Sequence, residues 1–190
     1  HGKKKAGPFH LLIRPRLHNP VENVWMAWER KRGKLEQFNR LLIDGDASAF
    51  SVHVGHRPGL DGIRFVVTVD ADTILPPGSV GRLVGALAHP LNQARFDNRT
   101  GMVISGYSII QPRTEISPHS GTRTVFARLF TGDTAIDIYS RAVSDIYQDL
   151  FGAGIFVGKG IYDLRAFHRS VGGRVPENSI LRHDLFEGAH

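Results

Sequence analysis

The strongest constraint on this chain is a run of β-branched and aromatic residues that stops abruptly at two closely spaced carboxylates. Arg64 to Thr73 reads RFVVTVDADT, so Phe65, Val66, Val67, Thr68 and Val69 lead into Asp70-Ala71-Asp72, and a Pro-Pro-Gly turn follows at Pro76 to Gly78. A continuous apolar run bounded by turn residues predicts a strand buried on both faces, as in a parallel sheet covered by helices. The two carboxylates then fall at its C-terminal end, the edge where open α/β sheets bind ligands. Hard oxygen ligands one residue apart suit Mg²⁺ or Mn²⁺ holding a diphosphate. The stretch therefore raises a nucleotide-sugar site. An Asp-x-Asp tripeptide also caps turns and helices, and by itself it does not choose between the two roles.

The rest of the composition narrows the class. With 190 residues, 41% hydrophobic and 22% charged, the chain can bury one sizeable core and has the make-up of a globular protein expected to be soluble. The 24 Lys and Arg against 18 Asp and Glu give a net charge of +6, part of it in Lys3, Lys4, Lys5, Arg14 and Arg16. A basic surface serves nucleic acid, anionic lipid or a phosphorylated substrate, and charge alone does not select one. Without cysteine there is neither a disulfide nor a thiolate metal site, which fits a reducing compartment. No apolar stretch approaches the roughly 20 residues of a membrane span, and no signal peptide is visible. The chain starts at His1 and is expected to be a piece of something larger.

Taken in order, residues 1 to 20 read as an irregular basic opening with one edge strand near Phe9 to Ile13, interrupted by Pro8, Pro15 and Pro20. Val24, Trp28, Leu35, Phe38, Leu41 and Leu42 recur at helical offsets, predicting a helix over Val21 to Leu42 that Asp44-Gly45-Asp46 ends. Trp25 and Trp28 are either sugar-stacking or core residues. A short strand is expected at Phe50 to Val54. Ser79 is expected to cap a helix running to about Ala88, and Gly101 to Gln111 to form a second strand beside the first. Helical periodicities follow over Thr122 to Phe130 and Ile136 to Phe151, and another helix over Asp163 to about Val171. Gly152, Gly154, Gly158 and Gly160 let backbone approach a ligand closely, or make a tight turn. The pattern is not a P-loop, though Lys159 is a reasonable phosphate partner. Asp184 and Glu187, at i and i+3, would share a helix face, and His183 and His190 nearby do not complete a zinc pattern.

Four stretches in this order carry a resemblance: WMAWERKRGKLEQFNRLL at 25 to 42, VVTVDADTILPPGSVGRLVGALAHPLN at 66 to 92, DIYQDLFGAGIFVGKGIYDLRAF at 145 to 167 and PENSILRHDLFEG at 176 to 188. Together they resemble the glycosyltransferase domain of bacterial cyclic β-1,2-glucan synthases and, more distantly, cellulose- and chitin-synthase-like transferases. The resemblance implies a single partial domain over 1 to 190 with an α/β, GT-A-like (Rossmann-like) core. That core has a mostly parallel central sheet flanked by helices, with its first nucleotide-binding strand upstream.

The resemblance also implies an inverting, metal-dependent transfer of glucose from UDP-glucose to a nascent β-1,2-glucan, with Mg²⁺ or Mn²⁺ as cofactor. Asp72 would ligate the metal, and Asp70 the metal or the nucleotide sugar. Lys34 and Asn39 match a lysine word near the donor nucleotide, and Lys159 would sit near phosphate. Gly158 and Gly160 would line the floor between donor and acceptor, with Glu187 on the acceptor. Asp184 stands where relatives carry the general base, although Arg182-His183 replaces their Thr-Glu. The expected partners are UDP-glucose, the glucan and the remainder of a larger synthase in the bacterial inner membrane, with this domain on the cytoplasmic side; nucleic acid is not among them. The alternative is a non-catalytic nucleotide- or carbohydrate-binding fragment.

Overall fold

A computed structural model describes residues 8–55, 60–112, 150, 156 and 158–174. The expected helices over 122–130 and 136–151, and the residues Asp184 and Glu187, lie outside or almost wholly outside that set.

Among the described residues the architecture is mixed α/β. Strand β1 (Leu11–Ile13), within the stretch expected to form an edge strand, pairs antiparallel with β4 (Val52–Val54), within the short strand expected at Phe50 to Val54. Strands β2 (Leu17–Asn19) and β3 (Val24–Met26) form a hairpin in which His18 faces Trp25. Helix α1 spans Arg30–Asp44 and α2 spans Ser79–Ala88. Strands β5 (Phe65–Thr68), β6 (Arg95–Phe96), β7 (Val103–Ser105), β8 (Ile109–Ile110) and β9 (Gly160–Asp163) follow, and α3 (Leu164–Val171) continues directly from β9. No helix among the described residues is long and apolar enough to cross a membrane.

The first helix begins at Arg30 and not at Val21. Asn19 turns the chain back before a helix can form: its Oδ1 accepts from the backbone N–H of Val21 at 2.9 Å and of Glu22 at 3.1 Å. Asn23 then takes a positive φ of 53° to close the hairpin. A local side chain that satisfies backbone donors competes with the helical ladder, and here it wins. Once started, α1 buries Leu35 and Leu41 and ends at Gly45, whose φ of 71° lets its N–H reach the Leu41 carbonyl at 3.1 Å. Helix α2 starts as expected at Ser79, but Gly78 is the capping residue and no side chain caps it. Asp163 caps α3, accepting from Ala166 N–H at 3.1 Å.

The central sheet departs from the parallel arrangement. Its order is β5-β9-β8, and both pairings are antiparallel: Phe65 faces Asp163, Thr68 faces Gly160, and Ile109 faces Tyr162. The stretch 101–111 is not one strand. Gly106, at φ 72°, divides it into β7 and β8, and β8 is kept from β5 by β9. Nor is β5 buried on both faces, since only Val66 is buried and Val69 beyond it is 46% exposed.

The core sits on one face of this sheet. Val66, Tyr162, Leu164 and Phe167 form a buried cluster, with Phe38, Leu42 and Ile43 of α1 and Val171 of α3 packed against it. The Tyr162 and Phe167 rings lie 4.6 Å apart. Truncating Phe167 to alanine removes a fully enclosed ring, and the expected loss of stability is about 3–5 kcal/mol. Chemical denaturation of the two proteins measures it.

Candidate functional site

The C-terminal end of β5 carries the pair of carboxylates, and the fold treats them differently. Asp70 opens a turn in which its N–H donates to Thr73 Oγ1 at 3.1 Å and its carbonyl accepts from Thr73 N–H at 3.0 Å. Its carboxylate sits between two ammonium groups. Lys31 Nζ donates to Oδ1 at 2.8 Å, and Lys159 Nζ lies 3.1 Å from Oδ2. Lys31 comes from the first turn of α1, and Lys159 from the residue just before β9, so the sheet and the helix packed on it bring three separate segments to one point.

Among the described residues in contact here, two cations face one anion. The side chains of Lys31, Asp70 and Lys159 are 35%, 39% and 33% exposed, so the group is open to a ligand and not sealed in the core. The hydrogen bonds from Lys31 and then Lys159 hold the Asp70 carboxyl below its ordinary range. A carboxyl whose folded value is depressed contributes stability above its unfolded value, near about pH 3.9, and loses it as pH falls through the folded value. The melting temperature of the chain should therefore drop more steeply below about pH 4 than that of Asp70→Asn, as thermal scans across an acid series would record.

Glycine completes the arrangement. Gly158 has a φ of 76°, and a Cβ placed on it would meet Lys31 Cε at 2.5 Å and Nζ at 2.6 Å. A side chain at this position would push the Lys31 ammonium aside. Gly160 acts differently: a Cβ there would meet the Ile110 carbonyl at 2.5 Å and the Phe156 ring at 3.2 Å, so its absence lets β9 close against β8.

Asp72 is exposed and makes no ion pair or hydrogen bond among the described residues. A hard divalent ion needs several oxygen ligands. Here both Asp70 oxygens face ammonium groups, and no group of three metal-ligating side chains occurs among the described residues. The described residues in this arrangement do not fit a Mg²⁺ or Mn²⁺ centre.

The lysine word also separates into parts. Asn39 is 1% exposed, and its Oδ1 accepts from the Tyr162 hydroxyl at 2.7 Å, which ties α1 to β9. Lys34 is exposed on α1, and no contact between it and Asp70 occurs among the described residues. Lys31, three residues earlier, is the lysine that reaches Asp70, and motif spacing passed over it. Its only sequence signal was a position on the same helix before Arg32-Gly33; the approach of Gly158 is tertiary. Of the two tryptophans, Trp25 is 67% exposed beside His18, and Trp28 lies under the Arg32 guanidinium at 5.6 Å. Arg14, part of the basic opening, is structural, donating to the Trp28 carbonyl at 2.9 Å and to Gln37 at 3.0 Å.

No family model matches the chain. It is 45% identical over 183 residues to the curated cyclic beta-(1,2)-glucan synthase NdvB of Rhizobium meliloti (strain 1021). That alignment covers 96% of this chain and 6% of the synthase. The chain is thus related, over nearly all of its own length, to a short segment of cyclic β-(1,2)-glucan synthase.

Proposed function

We propose that the chain is the donor-handling part of a glycosyltransferase with a GT-A-like core, which extends a β-1,2-glucan from UDP-glucose with inversion at C1. It works as one segment of a larger membrane-bound synthase and faces the cytoplasm. The observation that carries this reading is the Lys31–Asp70–Lys159 cluster at the C-terminal end of β5, over Gly158. The relative's name supplies the product.

In the proposed reaction the acceptor 2-hydroxyl attacks C1 on the face opposite UDP. A C–O bond to the acceptor forms, the C1–O bond to the β-phosphate breaks, and the hydroxyl proton passes to Asp184 as general base. The departing diphosphate gains negative charge. Lys31 and Lys159 answer that charge, and fixed positive groups aimed at developing charge lower a barrier most where they are already in place. Asp70 holds both lysines in position before the donor arrives.

The test is transfer of labelled glucose from UDP-glucose by the whole synthase, with linkage analysis of the product. The reading expects β-1,2-linked glucan and a large loss of transfer in Lys159→Ala. Transfer at the unmodified rate in that variant would sink it.

A further inference from the structure

The sheet has a second cationic pocket at its other edge. Asp163 closes β9 opposite Phe65, at the N-terminal edge of β5, whereas Thr68 and Gly160 mark the edge that leads to Asp70 and Lys159. At roughly 3.3 Å per residue the two edges stand about 10 Å apart along the strand. Between α2, the stretch 93–96, Tyr107 and the start of α3 lies a cavity of about 320 Å³. That volume is at the small end of ligand sites.

Among the described residues, three arginines line it, Arg64, Arg165 and Arg169, together with one acid, Asp163. Arg64 is occupied: its Nε bonds Asp163 Oδ2 at 3.0 Å while its guanidinium lies 4.7 Å from the Phe65 ring centre. Arg169 is held over Phe96, 4.3 Å from the ring centre, with no carboxylate partner among the described residues. Arg165 is exposed and has no ion pair or hydrogen bond among the described residues. Among the described residues, then, neither Arg165 nor Arg169 has a carboxylate partner, and Arg169 is oriented by an aromatic ring. Tyr107, 47% exposed, adds a second ring to the lining.

Planar guanidinium forks match phosphate oxygens, and an exposed aromatic ring stacks on a flat or sugar ring. A neutral glucan would draw on the rings but has no use for two unpaired cations. We propose that this cavity binds a small phosphate monoester carrying a ring, separately from the donor site, with the phosphate on Arg165 and Arg169 and the ring on Tyr107. The site does not depend on the transferase reading, because none of its residues belongs to the Lys31–Asp70–Lys159 cluster.

Calorimetric titrations of AMP, glucose 1-phosphate and inorganic phosphate into the 190-residue chain test this, with Arg165→Glu, Arg165→Gln and Lys159→Ala alongside and circular dichroism to verify folding. At least one monoester should bind saturably. Arg165→Glu should weaken it by about tenfold or more, the usual weight of a charge-assisted hydrogen bond, and Arg165→Gln by less. Lys159→Ala should leave it unchanged, and Tyr107→Ala should weaken the ring-bearing ligands more than inorganic phosphate. The proposal is overturned if no phosphate compound binds to the folded chain, or if binding is lost in Lys159→Ala and kept in both Arg165 variants, which would place it at the donor site. Saturable binding of a neutral gluco-oligosaccharide that survives Arg165→Glu and excludes the phosphates would overturn it as well.

Discussion

Asp184→Asn in the whole synthase is expected to slow glucosyl transfer about a hundred- to ten-thousandfold, the range that a positioned general base contributes. The carboxamide keeps the size of the side chain and removes the ability, proposed for Asp184, to take the acceptor proton. UDP affinity should stay within about twofold, because the proposed base acts on the acceptor and not on the diphosphate. Single-turnover kinetics beside equilibrium binding separate the two quantities. A variant that lost UDP affinity and kept its chemical step would assign Asp184 to the donor instead.

The second large effect is expected at the lysines. Replacing Lys31 or Lys159 by alanine removes one of two ammonium groups from the point proposed to accept a diphosphate, and leaves Asp70 with half of its present neutralisation. Hydrogen bonds to charged groups contribute roughly 1.5–3 kcal/mol, so each variant should lose about ten- to a hundredfold in kcat/KM. The double variant should lose less than the product of the two single losses, since both lysines are held by one carboxylate and face one diphosphate. Lys34→Ala, altering an exposed residue of the same helix, should change kcat/KM by less than about twofold.

Local chemistry made part of this arrangement legible before any coordinates. The apolar face and leading turn of α2 are written in Pro76 to Ala88, and the start of α3 in Asp163, because caps and helical periodicity act within a few residues. The apolar stretches that became β1 and β4 suggested short strands, but nothing in them told that the two pair. What could not be read was decided by groups distant in sequence or by a stronger local competitor. The Asn19 side chain captured two backbone donors and turned helix-like residues into a hairpin. The insertion of β9 between β5 and β8 joins segments far apart in the chain, and the alternation within 101–111 says nothing of that order.

The candidate site divides along the same line. Asp70 and Lys159 were visible as residue types in suggestive places, and the fold brings them within 3.1 Å. Lys31 was not, because its selection over Lys34 depends on the rotation of α1 against β9 and on the space left by Gly158. Asn39 carried the right motif spacing, yet its amide is engaged in the core with Tyr162. Spacing within a motif names candidates, and packing decides which of them faces the ligand.

The most direct test of the central claim is calorimetric titration of UDP into the folded chain, comparing the unmodified protein with Lys31→Ala and Lys34→Ala. If the Lys31–Asp70–Lys159 cluster receives the donor diphosphate, UDP binds, Lys31→Ala weakens it by about tenfold or more, and Lys34→Ala leaves it nearly unchanged. Equal affinity in the unmodified chain and in Lys31→Ala, or a loss confined to Lys34→Ala, would contradict the account.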